Sequence, residues 1–166
     1  MAIRTPLAID KTIRLDINGS HQQIRMRAIR AGLPPLLIVQ HGPGVPLLHE
    51  VTKFQRLLDL EKDFLVSYWE QRGCGNAPHN DAQSASLRQQ VDDLRTVLQL
   101  VYKETRQRVT ILGISLGATI ALLAVDHELD HGKAVIAISP DLRTTSSDAA
   151  AYEFLQQQGL RAGGSR

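Results

Sequence analysis

VTILGISLGATIALLAV, residues 109–125, is a run of seventeen residues without a charged side chain. Its first part, Val109 to Leu112, is largely apolar and uncharged, as expected of a buried strand in a parallel sheet. Its last part, Ala118 to Val125, is typical of a buried helix. Between them, residues 113–117 fit the pattern G-x-S-x-G, a sharp turn that projects a serine from the end of a strand. The stretch therefore predicts a strand, a tight turn carrying Ser115, and a helix.

Residues 109–125 are also compatible with a membrane-spanning helix, because Gly113 and Gly117 have the spacing found in packed membrane helices. A span needs about 20 mostly apolar residues. This run is shorter and is bounded by Arg108 on one side and by Asp126 and Glu128 on the other. We favour the soluble interpretation and keep the membrane helix as its alternative.

Composition narrows the class of protein before any further motif is considered. The chain has 166 residues, with 43% hydrophobic and 22% charged, which predicts one soluble globular domain. A net charge of only +2, with no basic run, excludes a nucleic-acid binder driven by bulk charge. The single cysteine, Cys74, indicates a reducing compartment, and residues 1–10 lack the apolar core of a signal peptide. We therefore expect a cytoplasmic protein.

The residues before this stretch predict a hairpin and then a change of architecture. Thr12 to Ile17 alternates apolar and polar residues, Asn18-Gly19 is typical of a tight turn, and the alternation resumes from Ile24 to Ala28. Buried strands are predicted at 36–39, which is continuously apolar, and at the largely apolar stretches 64–69, 109–112 and 134–138. Residues 48–58 and 87–101 between them have helical periodicity. The predicted class is α/β, an N-terminal β-hairpin followed by an open, mostly parallel sheet with helices on both faces.

Unusual residues follow three of these strands, at the edge where open sheets bind ligands. Ser115 is the candidate nucleophile, and the amide of Leu116 at the start of the next helix is a candidate oxyanion donor. The loop His41-Gly42-Pro43-Gly44 is suited to provide the second donor from Gly42 or Gly44, since proline has no N–H. In the third loop, Arg72 is expected to clamp the backbone or a carboxylate, and Cys74 is expected to be a buried structural thiol.

Together these three motifs resemble the α/β-hydrolase superfamily, and within it the prolyl aminopeptidase-like serine hydrolases. Residues 40–44 are similar to the family's H-G-G-P-G, residues 70–77 to its D-Q-R-G-x-G-x-S, and residues 113–117 to its nucleophile elbow. The resemblance covers approximately residues 10 to 140 and implies the front half of the α/β-hydrolase fold. The chain departs from the family at Gln40-His41, at Glu70 and at Ala77.

The resemblance also implies a domain plan and a catalytic set. Residues 1–145 correspond to a C-terminally truncated hydrolase core, and residues 146–166 to the start of a lid helix, at Ala149–Gln158, and a disordered tail. Asp141 stands where some relatives place the triad carboxylate, although a simple turn residue explains it equally. A sheet that ends at the strand 134–138 exposes an apolar edge, so we expect self-association.

The general base is the missing member of this set. A serine nucleophile normally needs a histidine oriented by a carboxylate, and in this superfamily the histidine comes last in the chain. Only His127 and His131 follow Ser115, and twelve helical residues would place His127 about 18 Å away from it along the helix. The earlier histidines are at positions 21, 41, 49 and 79, and no pair of them has metal-ligand spacing.

Two functional hypotheses follow. The first is a serine hydrolase that acts, without a cofactor or metal, on an ester or an N-terminal peptide bond of a small molecule or short peptide, impaired by the missing histidine. Its residues are Ser115 as nucleophile, Leu116 and Gly42 as oxyanion donors, and Asp141 as acid. The alternative is a non-catalytic fragment or interaction module that keeps the front half of the fold.

Overall fold

A computed structural model describes residues 6–42, 45–75, 86–125 and 131–143, together with Glu153. The strands are β1 (Ile9–Ile17), β2 (Ser20–Ala28), β3 (Pro35–Val39), β4 (Leu65–Glu70), β5 (Val109–Ile114) and β6 (Gly132–Ile138). The helices are α1 (Val51–Leu58), α2 (Leu87–Thr105) and α3 (Leu116–Ala124), and short 3-10 turns cover Leu48–Glu50 and Leu60–Lys62. The predicted helix at 149–158, apart from Glu153, and the tail from 159 lie outside the described residues.

The N-terminal hairpin forms as its alternating pattern predicts. β1 and β2 pair antiparallel from Ile9 opposite Ala28 to Ile17 opposite Ser20. Asn18 and Gly19 close the hairpin with φ of 49° and 74°, the positive values that a two-residue turn between twisted strands requires. The hairpin is longer than predicted, because β1 begins at Ile9.

The remaining strands form the predicted, mostly parallel sheet. In the described residues the strand order is β1-β2-β4-β3-β5-β6, with β2 antiparallel to β4 and the last four strands parallel to one another. All five residues of β3 are buried, as its continuous apolar run predicts for a central parallel strand. The fold class is therefore confirmed.

Helices cover both faces of this sheet. On one face α2 and α3 contribute residues such as Leu94 and Ile120 to a core that includes Trp69. On the other face Val51 of α1 packs with Ile38 and Tyr68. The stretch 109–125 is divided between β5 and the nine-residue α3, so the membrane-helix alternative is wrong. No helix in the described part of the chain combines the length and apolar character needed to cross a bilayer.

The apolar stripe of α1 is less buried than its periodicity suggests. Leu57 and Leu58 are 72% and 52% exposed, whereas Gln55 of the same helix is buried. Gln55 Oε1 accepts a hydrogen bond of 2.9 Å from Nη2 of Arg27, a buried cation on β2. A buried guanidinium needs polar partners, and the residue of α1 that faces Arg27 is therefore an amide, Gln55.

A buried hydroxyl completes this polar cluster beneath α1. Tyr68 donates a hydrogen bond of 3.0 Å to Oε1 of Glu61, and Nη1 of Arg27 lies 3.7 Å from the same oxygen. Burial, reinforced by the neighbouring Glu61, raises the pKa of Tyr68 far above its usual range. Tyr68 is therefore held as a neutral donor to one oxygen of a buried carboxylate.

Candidate active site

Ser115 occupies the strained turn that the sequence predicts. It lies between β5 and α3 with φ 53° and ψ −123°, a region that residues with a side chain rarely adopt. Its amide donates to Ile138 O at 2.8 Å, and its carbonyl oxygen accepts from Ala118 N at 2.9 Å and Thr119 N at 3.2 Å. These bonds hold the strain in place, and the half-buried serine stands at the carboxyl edge of the sheet.

The two glycines of this turn are required by packing. A Cβ atom at Gly113 would lie 2.5 Å from Ala118 Cα, inside the first turn of α3. A Cβ atom at Gly117 would overlap the carbonyl oxygens of Val39 and Gln40 at the end of β3. The helix therefore approaches both strands closely, which is the contact that G-x-S-x-G permits.

The amide of Leu116, the expected oxyanion donor, lies at the start of α3 directly after Ser115. Leu116 is the first residue of α3, so its N–H has no acceptor within the helix. The helix dipole adds positive potential at the same end. Electrostatic stabilisation of an oxyanion uses donors of this kind, fixed before the reaction begins.

The loop after β3 brings the second expected donor to the same edge, already engaged within its own chain. Gly42 is buried with φ 127°, and its amide donates to Gln40 O at 3.0 Å. To bind an oxyanion, the Gly42 N–H must exchange this intraloop bond for one to the substrate. Pro43 and Gly44, the rest of the predicted loop, lie outside the described residues.

Arg72, in the loop after β4, forms the clamp that the sequence predicts. Its Nε and Nη2 donate to the two carboxylate oxygens of Asp93 on α2, at 2.8 and 3.1 Å. Nη2 also donates to the carbonyl oxygens of Ile17 and Asn18 at 3.0 and 3.1 Å. The buried guanidinium thus ties this loop both to a helix and to the turn of the hairpin.

Asp93 is the central carboxylate of this network, and the sequence analysis misses it. It is fully buried on α2 and accepts further bonds from the side chains of Asn18, Gln22 and Gln89 at 2.7, 2.8 and 3.0 Å. Gln89 also lies in the first turn of α2, where its amide donates to Ser86 Oγ at 3.2 Å. The missed signal is a carboxylate one residue before Leu94, inside the apolar stripe of α2.

Cys74 is buried, as predicted, and contacts the loop after β3. Gln40 Nε2 donates to its Sγ at 3.0 Å, and Sγ lies 3.8 Å from Arg72 O and 4.0 Å from Gly42 O. The sulfur therefore joins the loops that follow two adjacent parallel strands. Its burial fits a structural thiol and gives no access for a nucleophilic role.

Of the described histidines, His131 lies at the far end of β5 from Ser115, and the other three are exposed. His131 stacks on Tyr102 with ring centroids 4.6 Å apart, and its carbonyl accepts from the amide of Val109 at the start of β5. Six residues of extended chain, about 20 Å, separate that end of β5 from Ser115. His41 is exposed on the loop after β3. The others in the described ranges, His21 and His49, are exposed, and His79 and His127 lie outside those ranges.

Asp141 lies beyond the end of β6 and is hydrogen-bonded to α3, the helix that begins after Ser115. Thr119 Oγ1 donates to Asp141 O at 2.8 Å and accepts from Asp141 N at 3.1 Å. Its Oδ1 accepts from Arg143 N at 3.2 Å, a bond typical of an aspartate at a turn. Among the described residues, no group of three histidine, cysteine, aspartate or glutamate side chains is arranged to hold a metal ion.

Two comparisons of the sequence with known proteins both find aminopeptidases. The sequence profile described as serine aminopeptidase, S33, matches residues 50–161. A probable aminopeptidase of Bacillus subtilis, YbaC, is 25% identical over 146 residues, which are 86% of this chain and 45% of that protein.

Solved structures show the same fold. A proline iminopeptidase of Mycobacterium smegmatis superposes with a TM-score of 0.69 at 16% identity, over 89% of this chain and 50% of that one. An esterase of Pyrococcus furiosus superposes with a TM-score of 0.67 at 16% identity, over 89% and 58% of the two chains. The chain therefore spans about half the length of the relatives that it matches.

Proposed function

The chain belongs to the serine aminopeptidase family S33, and from that premise we propose that Ser115 is the nucleophile of a serine hydrolase. The proposed reaction is acyl transfer to water from an ester or an N-terminal peptide bond of a small molecule or short peptide. The observation that carries the proposal is the conformation of Ser115, strained between β5 and the first turn of α3. The aminopeptidase similarity supports a substrate with an N-terminal amide.

In the proposed mechanism, Ser115 Oγ attacks the acyl carbon while its proton passes to water, and the amides of Leu116 and Gly42 hold the resulting oxyanion. Collapse of the oxyanion expels the alcohol or the protonated amine, and a water molecule then hydrolyses the acyl-enzyme to release the acid and restore Ser115. The Leu116 N–H stands ready at the helix start, whereas the Gly42 N–H first leaves Gln40 O. We assign Asp141 as the carboxylate of the catalytic set, supported by its hydrogen bonds to Thr119 on α3.

We further propose that this chain, by itself, turns over slowly. His131 stands about 20 Å along β5 from the serine and cannot take its proton. A serine without an oriented base keeps only the acceleration that the oxyanion hole and substrate binding provide. We also propose a cytoplasmic location, since a chain with one cysteine forms no internal disulfide.

The proposal predicts that a fluorophosphonate probe slowly forms a single adduct on Ser115, with loss of fluoride and release of the serine proton to water. Intact-mass spectrometry should show one added probe on the native chain and none on Ser115→Ala, while ester turnover stays near background. Ser139→Ala is the matched control, because Ser139 also follows a strand with positive φ, 49°, outside the elbow. Labelling that is absent, or that survives Ser115→Ala, would contradict the assignment. Absence of labelling would favour the non-catalytic alternative.

We also propose that the chain associates with a second copy of itself through β6. β6 is the last strand of the described sheet, and Ile136 and Ile138 on it are 49% and 46% exposed. An apolar strand with an open edge favours pairing with another chain. Lys133, at the start of the strand, is its single charged residue and does little to oppose that pairing.

A charge placed on β6 should weaken this association. Ile136→Lys is expected to raise the dissociation constant about ten-fold or more, equivalent to about 1.4 kcal/mol, measured by sedimentation velocity over a range of concentrations. Leu57→Lys is the matched control, since Leu57 is an exposed leucine on α1, away from the edge. A native chain that stays monomeric throughout, or equal effects of both substitutions, would count against an interface at β6.

A further inference from the structure

We propose that Cys74 and Arg72 are positioning residues for Ser115. Cys74 sets the place of the loop after β3, residues 40–42, and Arg72 holds Cys74 where it makes that contact. The inference rests on the proposed function of Ser115 and adds the residues that fix the oxyanion loop against it. Neither side chain is expected to touch the substrate.

The contact of Cys74 with this loop spans both of its ends. Sγ accepts the Gln40 Nε2–H at 3.0 Å and lies 4.0 Å from the carbonyl oxygen of Gly42. The thiol and the Gln40 side chain are both buried. Water therefore cannot replace the sulfur, and removing it would leave the Gln40 amide donor without this partner in a buried site.

A shift of Gln40 directly affects both the turn at residues 113–117 and Gly42. Its carbonyl oxygen lies so close to Gly117 that a Cβ atom there would overlap it. The same oxygen accepts the Gly42 amide at 3.0 Å. A displacement of Gln40 therefore moves the proposed oxyanion donor relative to the helix that begins beside Ser115.

Arg72 fixes the short turn that carries Cys74. The Cys74 amide donates to Gln71 O at 3.0 Å, and Gly73 has φ 75°, so the turn is tight. Two residues before the thiol, the guanidinium donates to Asp93 and to two carbonyl oxygens of the hairpin. Hairpin, α2 and oxyanion loop are thereby connected through one buried arginine and one buried thiol.

The first test separates the polar contact of the sulfur from its volume. Cys74→Val fills a similar space without an acceptor, whereas Cys74→Ser restores a polar acceptor for Gln40. We expect the limiting rate of Ser115 phosphonylation to fall about ten-fold in Cys74→Val, less than the 10²–10³-fold loss on deleting an oxyanion donor. The half-saturating probe concentration should stay unchanged, and Cys74→Ser should recover most of the rate.

Arg72→Lys tests the second part of the inference. Lysine keeps the charge opposite Asp93 but cannot make the forked set of bonds, so we expect the same fall in limiting rate as in Cys74→Val. Circular dichroism and thermal unfolding of each variant show whether the fold is retained. An unchanged limiting rate in the folded Cys74→Val or Arg72→Lys protein, or equal loss in Cys74→Val and Cys74→Ser, would overturn the positioning role.

Amide hydrogen exchange at Gly42 tests the coupling independently of chemistry at Ser115. We expect faster exchange in Cys74→Val and Arg72→Lys than in the native protein, and native-like exchange in Cys74→Ser. If the native protein is not labelled by the probe, the proposed function fails, and exchange at Gly42 still decides whether these residues hold the loop. Unchanged exchange in both disruptive variants would overturn the coupling itself.

Discussion

Replacing Asp93 with alanine is expected to destabilise the protein by about 3–5 kcal/mol, because it leaves the buried Arg72 guanidinium without its anion. The carboxylate accepts bonds from four side chains, contributed by the hairpin, the loop after β4 and its own helix. Deleting it removes these bonds at once, and the two buried donors, Gln22 and Arg72, cannot turn to water. Chemical denaturation monitored by circular dichroism measures the change in the free energy of unfolding.

Asp92→Ala is the matched control, at the preceding residue of the same helix. Asp92 pairs with Arg95 at 3.1 Å on an exposed surface, and exposed pairs contribute about 0–1 kcal/mol. Both substitutions give the same small gain in helix propensity, so the difference between the two variants isolates the effect of burial. Similar unfolding free energies for the two variants would show that the Arg72–Asp93 pair does not hold these elements together.

Much of the fold was predictable because its signals lie within short stretches of chain. Asn18-Gly19 favours positive φ at two successive residues, and the alternation on either side then fixes which faces of β1 and β2 are buried. The continuous apolar run of β3 similarly predicts a strand with both faces covered. Ser115 and its glycines belong to the same category, since the turn between β5 and α3 is specified by five adjacent residues.

The polar network was not predictable, because its partners are far apart in the sequence. Asp93 bonds to Asn18 across 75 positions, and Cys74 to Gln40 across 34. Periodicity shows that a side chain faces inward, but it does not show which buried partner it meets. The same limit explains α1, where Gln55 is drawn inward by Arg27, a residue of another element, while Leu57 faces solvent.

The loop after β3 shows the same contrast between features set by local sequence and features set by distant contacts. The sequence indicated that a glycine amide near position 42 would lie at the carboxyl edge of the sheet, and the motif alone suffices for that prediction. It did not indicate that the amide already donates to Gln40 O, because this bond depends on the loop's own conformation. The position of the Gly42 amide is thus encoded locally. The acceptor to which it donates depends on the surrounding contacts, here those of Gln40 with Cys74 and with α3.

Substituting alanine for Gly117 is expected to destabilise the protein by about 3 kcal/mol, at the upper end of the usual cost of overpacking. The added methyl group would overlap the carbonyl oxygens of Val39 and Gln40, which belong to the backbone of the central strand and the loop after it. Neither can rotate aside as a flexible side chain would. Alanine ordinarily stabilises a helix by about 1 kcal/mol relative to glycine, so a net loss would itself demonstrate the close contact.

Gly32→Ala separates this overlap from a general effect of replacing glycine. Gly32 has φ 79° with nothing within 4 Å of its added Cβ atom, so its substitution incurs only backbone strain, about 1–2 kcal/mol. Thermal and chemical unfolding of both variants, with phosphonylation of Ser115, complete the test. We expect Gly117→Ala to lose labelling as well as stability, because pushing α3 from β3 moves the Leu116 amide, whereas Gly32→Ala keeps labelling. A Gly117→Ala protein as stable and reactive as the native chain would mean that α3 does not depend on this contact for its position beside Ser115.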